Sequence, residues 1–252
     1  MLVVGVIFTA SNAAFLYYLF VIVPTLDASP PAVENIALGI VLLGVFQVLQ
    51  HITGFGAAPT GKFNTGVLAV KLTLPVNVAW WTMEQPSFLV PVVMLTEYVR
   101  RGHQINAPGP FFLGMFIVHY FQRSLIYPWL SRGSPYPVHA WASAMLFTVA
   151  NGTMQSLDLL YYRQQYGGHT LYSLRVALGC FIFMLGMFIN IHSDFVLRNL
   201  RKRGETAYKI PRGGMFEYVS GAHFVGEIVE WTGVPMPTPS DHRAEVPASC
   251  LG

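Results

Sequence analysis

Glu84 sits where a carboxyl is expensive. It lies in VNVAWWTMEQPSFLVPVVML, with apolar residues on both sides. An ionisable group at the depth of an apolar segment is costly unless paired or wet, so it is a functional candidate by default. Its plain alternative is a carboxyl that joins two helices by a hydrogen bond. A second group falls in HYFQRSLIY, where Tyr120, Arg123 and Tyr127 are spaced i, i+3 and i+7. That spacing gives one face of a helix. Two phenols flanking a guanidinium suit an anionic or carbonyl-bearing ligand. The alternative is an interfacial aromatic belt with a snorkelling arginine. His223, Glu227 and Glu230 repeat the pattern at i, i+4 and i+7. No further ligand follows at metal-site spacing, so no metal is expected and a polar stripe facing a cavity is the better reading. Asn190, His192 and Asp194 close an apolar run just before LRNLRKRG. This basic stretch suits an anchor to anionic lipid or a clamp for phosphates, which arginine grips with paired hydrogen bonds.

The elements that must position these groups follow from composition. Of 252 residues, 53% are hydrophobic and 11% charged, against about 25% charged in soluble chains. That excludes an ordinary soluble domain, and the apolar richness excludes disorder. A net charge of +3 gives no reason to expect nucleic acid. The two cysteines form neither a disulfide framework nor a metal-ligand pattern. Residues 2–26 carry no charge and are long enough for a hydrocarbon core of about 30 Å. They lack the basic start of a cleaved signal peptide, so a retained span is expected. Further spans are expected at 36–53, 76–98, 111–130, 138–160, 172–191 and 214–235. Several contain Gly, Pro or an ionisable residue, which bundled helices tolerate where neighbours satisfy them. Lys62, Lys71, Arg132, Arg198, Arg201, Lys202, Arg203, Lys209 and Arg212 fall in the loops after even-numbered spans, and Arg100, Arg101 and Arg163 in the others. The excess puts the even loops and the N-terminus in the cytosol. The expected fold is all-α, a polytopic membrane bundle of about six to seven transmembrane helices. Residues 1–35 read as an N-terminal span and loop, 36–235 as the main membrane domain, and the Pro-rich stretch 236–252 as a disordered polar tail. No Rossmann or Walker pattern is present. The residues alone give an intramembrane cavity lined by Glu84 and Tyr120, with a basic cytosolic rim for a phosphorylated cofactor.

Longer motifs go further. INIHSDFVLRNLRKRGETAYKIPRGGMFEYVSGAHFVGEIVEW, from Ile189 to Trp231, resembles the signature of the steroid 5α-reductase family. So do VHYFQRSLIYPWLSRGSPYP at 118–137, ANGTMQ at 150–155, AWWTMEQPSF at 79–88 and GKFN at 61–64. The resemblance covers about residues 60–233, in order. It implies an endoplasmic-reticulum membrane enzyme that uses NADPH to reduce the C4–C5 double bond of 3-oxo-Δ4-steroids, with a steroid or sterol-like lipid as substrate and membrane lipid around it. It implies that Glu84 and Tyr120 hydrogen-bond the 3-keto oxygen. It further implies that Arg123, Tyr127, Arg132, Asn190, Asp194, Arg201, Tyr208 and Glu227 line the cofactor site. Asn151 falls in a matching segment without a defined role. His223 stands where the family has an asparagine near the nicotinamide, and Ser134 where it can have a basic residue. The resemblance stops at about Gly233, where family members continue with another apolar span and a basic segment, so a C-terminally shortened chain is expected. A polyprenol or enoyl-thioester reductase and an inactive truncated homologue are the alternatives.

Overall fold

The computed structural model describes residues 2–26, 34–42, 45, 72–105, 108–162, 174–200 and 209–234. Almost all of them are helical. The chain divides into two compact units, Met1–Gln165 and Tyr166–Gly252, and each is described by itself.

In the first unit, α1 (Leu2–Tyr17) continues through a π-helical turn (Tyr18–Ile22) and a short 3-10 turn (Val23–Thr25). α2 runs Val76–Arg100 and α3 Pro108–Phe121. A second π turn (Gln122–Ile126) joins α3 to the short α4 (Tyr127–Leu130). α5 (Val138–Leu157) ends in a third π turn (Asp158–Tyr162).

Two prolines set the starts of α2 and α5. Pro75 and Pro137 both hold extended ψ angles, 136° and 135°, immediately before the first helical residue. Thr73–Leu74 pairs antiparallel with Tyr136–Pro137 in a two-residue ladder, and Val138 N–H donates to the Leu72 carbonyl at 3.0 Å. The two helices therefore leave one tie point and advance together.

Their seam is polar. The Trp141 indole N–H donates to Thr82 Oγ1 at 2.8 Å. Thr148 Oγ1 donates to the Met83 carbonyl, and Ser87 Oγ donates to the Thr148 carbonyl at 3.0 Å. Pro86 has no N–H for the Thr82 carbonyl one turn before it, and the adjacent Met83 carbonyl takes an added donor from α5. Gly152 completes the fit: a Cβ there would lie 2.9 Å from the Pro86 carbonyl oxygen. α1 docks on the same helix, through Tyr18 OH to Thr153 Oγ1 at 2.7 Å and Phe8 against Trp141 at 5.4 Å.

The second unit contains α6 (Leu174–Asn199), a 3-10 turn (Gly214–Glu217) and α7 (Ala222–Thr232). α6 and α7 meet at glycines. A Cβ on Gly226 would lie 2.5 Å from Asn190 N, one on Gly186 would strike Glu230 N, and one on Gly233 would strike Phe183 N. Small residues allow this backbone approach, as between membrane helices.

The structure corrects two expected spans. The span at 172–191 is a helix to Asn199, because His192 and Asp194 stay within it. The span at 214–235 is not continuous. Gly213 and Gly214 take positive φ (92° and 56°), and only the eleven residues of α7 are helical beyond the 3-10 turn. Eleven residues reach about 16 Å, too short to cross a bilayer core. Among the described residues two helical stretches are long and apolar enough to span a membrane, Phe8–Thr25 and Val176–Asn199. The other expected spans carry prolines or ionisable groups, or extend beyond the described residues as 36–53 does.

Candidate functional site

α2 presents different faces to its two neighbours. Thr82, Met83, Pro86 and Ser87 meet α5. Trp80, Glu84 and Phe88, each four residues apart, form another face. The Trp80 ring stands edge-on to Tyr127 at 5.1 Å and to Tyr136 at 6.1 Å. Phe88 meets Phe121 at 6.0 Å. Glu84, half-buried between Trp80 and Phe88, is thereby turned toward the stretch 121–127. Burial pushes the Tyr136 phenol above its ordinary value.

Arg123 belongs to this face. Its guanidinium lies 5.2 Å from the Trp80 ring centre and 4.5 Å from that of Tyr127. Such stacking holds the planar group flat while leaving its edge for hydrogen bonds. Arg132 lies exposed in the loop after α4.

Tyr120 sits in the last turn of α3 and is buried, at 9% exposure. Its ring packs on Phe116 at 4.6 Å and His119 at 4.9 Å. Ser124 Oγ donates to its backbone carbonyl at 2.6 Å. Asn151 of α5 donates its side-chain N–H to the Tyr120 hydroxyl oxygen at 3.0 Å. The stripe expected at Tyr120, Arg123 and Tyr127 thus divides. Arg123 and Tyr127 gather on Trp80, and Tyr120 meets Asn151.

The second unit holds Asn190, Asp194, His223 and Glu227. Asn190 is 2% exposed and donates to the His223 carbonyl at 3.0 Å and to Glu227 Oε1 at 3.3 Å. Gly226 allows this by bringing α7 onto the Asn190 backbone. Asp194 and Glu230 are also buried. Gly214 lies against His192, where a Cβ would come within 2.5 Å of the ring. Arg201 and Tyr208 lie outside the described residues. No group of three or more metal-binding side chains occurs among the described residues.

Sequence reasoning missed Trp80 and Tyr136 and gave Asn151 no task. Trp80 had a signal, four residues before Glu84. Asn151 had none, because its partner is 31 residues away on another helix.

Among the described residues the chain is almost wholly helical, with two long apolar stretches and with a carboxyl, a phenol and an amide in one unit, which defines a helical protein with polar groups in its interior. The chain is a member of the 3-oxo-5-alpha-steroid 4-dehydrogenase family. The family's sequence model matches residues 134–242. The chain is 43% identical over 178 residues to 3-oxo-5-alpha-steroid 4-dehydrogenase 2 of Sus scrofa, covering 71% of this chain and 69% of that protein. It is 44% identical over 181 residues to the Rattus norvegicus protein of the same name, with 72% and 70% covered. It is 43% identical over 199 residues to 3-oxo-5-alpha-steroid 4-dehydrogenase 1 of Bos taurus, with 78% and 74% covered.

Proposed function

We propose that the chain is a membrane oxidoreductase that reduces the C4–C5 double bond of a 3-oxo-Δ4-steroid. In this reading it is a multi-pass protein of the endoplasmic-reticulum membrane with about six crossing helices, and residues 36–235 form its reductase part. Family membership supports the reaction. The observation that carries the site is the buried Tyr120 phenol, bonded to Asn151 on a scaffold that also turns Glu84 inward.

The chemistry suits these groups. A conjugated enone accepts a hydride at its β-carbon only as negative charge grows on the carbonyl oxygen. Donors already aimed at that oxygen stabilise the charge without reorganising. Tyr120 donates its O–H, and Glu84 donates in its protonated form. The apolar side chains around them keep water away, which strengthens both bonds.

A reduced nicotinamide, NADPH in this reading, supplies the hydride when bound. The donor set fits such a group. In the first unit Arg123, flattened on Trp80 and Tyr127, offers charged N–H groups to such a ligand. Arg123, Tyr127, Arg132, Asn190, Asp194, Arg201, Tyr208, His223 and Glu227 are the residues assigned to hold it.

The test is reduction of a 3-oxo-Δ4-steroid by the purified full chain with NADPH, beside Glu84→Gln and Tyr120→Phe. Tyr120→Phe removes the phenol donor, and Glu84→Gln replaces the acidic O–H with a weaker amide N–H donor. The first is expected to lower kcat by about 100- to 1000-fold and the second by less, with cofactor binding unchanged. Unaltered turnover in both variants rejects the site, and absence of turnover in the parent chain rejects the reaction.

A further inference from the structure

The Tyr120 phenol has one soft degree of freedom, the rotation of its hydroxyl hydrogen. Everything else about it is fixed. The ring is packed between Phe116 and His119, and the backbone carbonyl is held by Ser124. A tyrosine hydroxyl is one donor and an acceptor. Which way the hydrogen points decides whether the group can stabilise a substrate oxygen.

Asn151 settles that choice. Its N–H donates to the phenol oxygen at 3.0 Å, so the oxygen is the acceptor in this bond and the phenol's hydrogen points away from Asn151. Accepting a hydrogen bond also polarises the O–H and strengthens what it donates. Asn151 is itself rigidly held. It precedes Gly152, which seats α5 on Pro86 and Ser87, and it follows by one turn Thr148, which grips the Met83 carbonyl beside Glu84.

We propose that Asn151 is a positioning residue, whose side-chain amide orients the Tyr120 hydroxyl so that its hydrogen is presented to the carbonyl oxygen of the substrate. The proposal rests on the reading of Tyr120 as the carbonyl donor. A residue that merely ties two helices together predicts something different. For it, Asn151→Asp, nearly isosteric, is the mildest change and Asn151→Leu the worst. If polarity is what matters the order reverses. A carboxylate at 151 can only accept, so it turns the phenol's hydrogen toward itself and away from the substrate.

The experiment uses the full chain in lipid nanodiscs, with Asn151→Leu, Asn151→Asp, Tyr120→Phe and the two double variants. Turnover of a 3-oxo-Δ4-steroid with NADPH is measured, and tyrosine labelled with 13C at Cζ reports on the phenol. Asn151→Leu is expected to lower kcat about tenfold, with KM nearly unchanged, as for one neutral hydrogen bond. Asn151→Asp is expected to lower it about 100-fold, approaching Tyr120→Phe. In the Tyr120→Phe background neither change at 151 should cost more than about twofold, because coupled residues are not additive. Losses that multiply, or a Leu variant worse than the Asp variant, overturn the proposal. If the parent chain reduces no enone, the activity reading falls, and the label decides the pairing alone. The Tyr120 resonance, identified by its loss in Tyr120→Phe, must move in Asn151→Leu. An unmoved resonance overturns the proposal.

Discussion

The α2–α5 seam and the α6–α7 seam solve the same problem in opposite ways. Both bring two helices into close contact and both keep polar groups inside. At α2–α5 the contact is made mainly by side chains, an indole and three hydroxyls, with one close backbone approach at Gly152. At α6–α7 it is made by backbone, with Gly186, Gly226 and Gly233 each admitting the opposing chain where a Cβ would collide. The hydroxyl seam fixes the sliding register of its helices, because each bond has one partner. The glycine seam fixes their separation and leaves specificity to Asn190, whose amide bridges to His223 and Glu227. A site that must aim single hydrogens gains from the first solution. A site that grips a larger group with several polar contacts can use the second.

This contrast can be broken at its glycines. Gly186→Ala pushes a methyl into the Glu230 backbone, which cannot rotate aside. It is expected to destabilise the second unit by about 3 kcal/mol, read as a loss of thermal stability in detergent. Survival with little change would mean that α6 and α7 are not held by close approach. Thr82→Val removes the acceptor of the fully buried Trp141 N–H. A buried donor left without its partner costs about 2 kcal/mol, and a melting curve checks it. Thr148→Val is nearly isosteric and removes the hydroxyl that donates to the Met83 carbonyl and, within its own helix, to the Met145 carbonyl. About 1 kcal/mol is expected, typical of single hydrogen bonds between membrane helices. Thr148→Ser should restore it. If Thr148→Val costs as much as Gly186→Ala, the two seams do not differ in kind.

Two helices of the first unit were legible from apolar runs bounded by prolines, even with a proline or an ionisable residue inside. The span expected at 76–98 is α2 to within two residues, and that at 138–160 is α5 with its π turn. Reading failed where polar residues cluster inside a helix or glycines interrupt an apolar run. His192 and Asp194 made α6 look finished eight residues too early. Gly213 and Gly214 break the expected span at 214–235 through backbone angles that hydropathy does not register. At the candidate site, residue types pointed to Glu84, Tyr120 and Arg123 because charge and phenol inside apolar segments stand out. Asn151 and Thr148 did not stand out. Their roles come from which side of α5 meets which neighbour, and no spacing along one helix encodes that.

The π turn at Gln122–Ile126 has a further consequence for how this stretch can vary. Such a turn is an α-helix with one residue too many, wound into a wider loop. Each residue advances an α-helix by about 100°, so this surplus residue shifts the phase of everything after it. Upstream of it, Tyr120 addresses Asn151; within and just beyond it, Arg123 and Tyr127 address Trp80. One continuous rod thus serves two clients that a uniform helix would have to serve in a single phase. Across 122–126 the number of residues matters as well as the identities of Arg123 and Ser124. A conservative exchange leaves both alignments in place, whereas losing one residue would rewind the rod and put one of its two clients out of step.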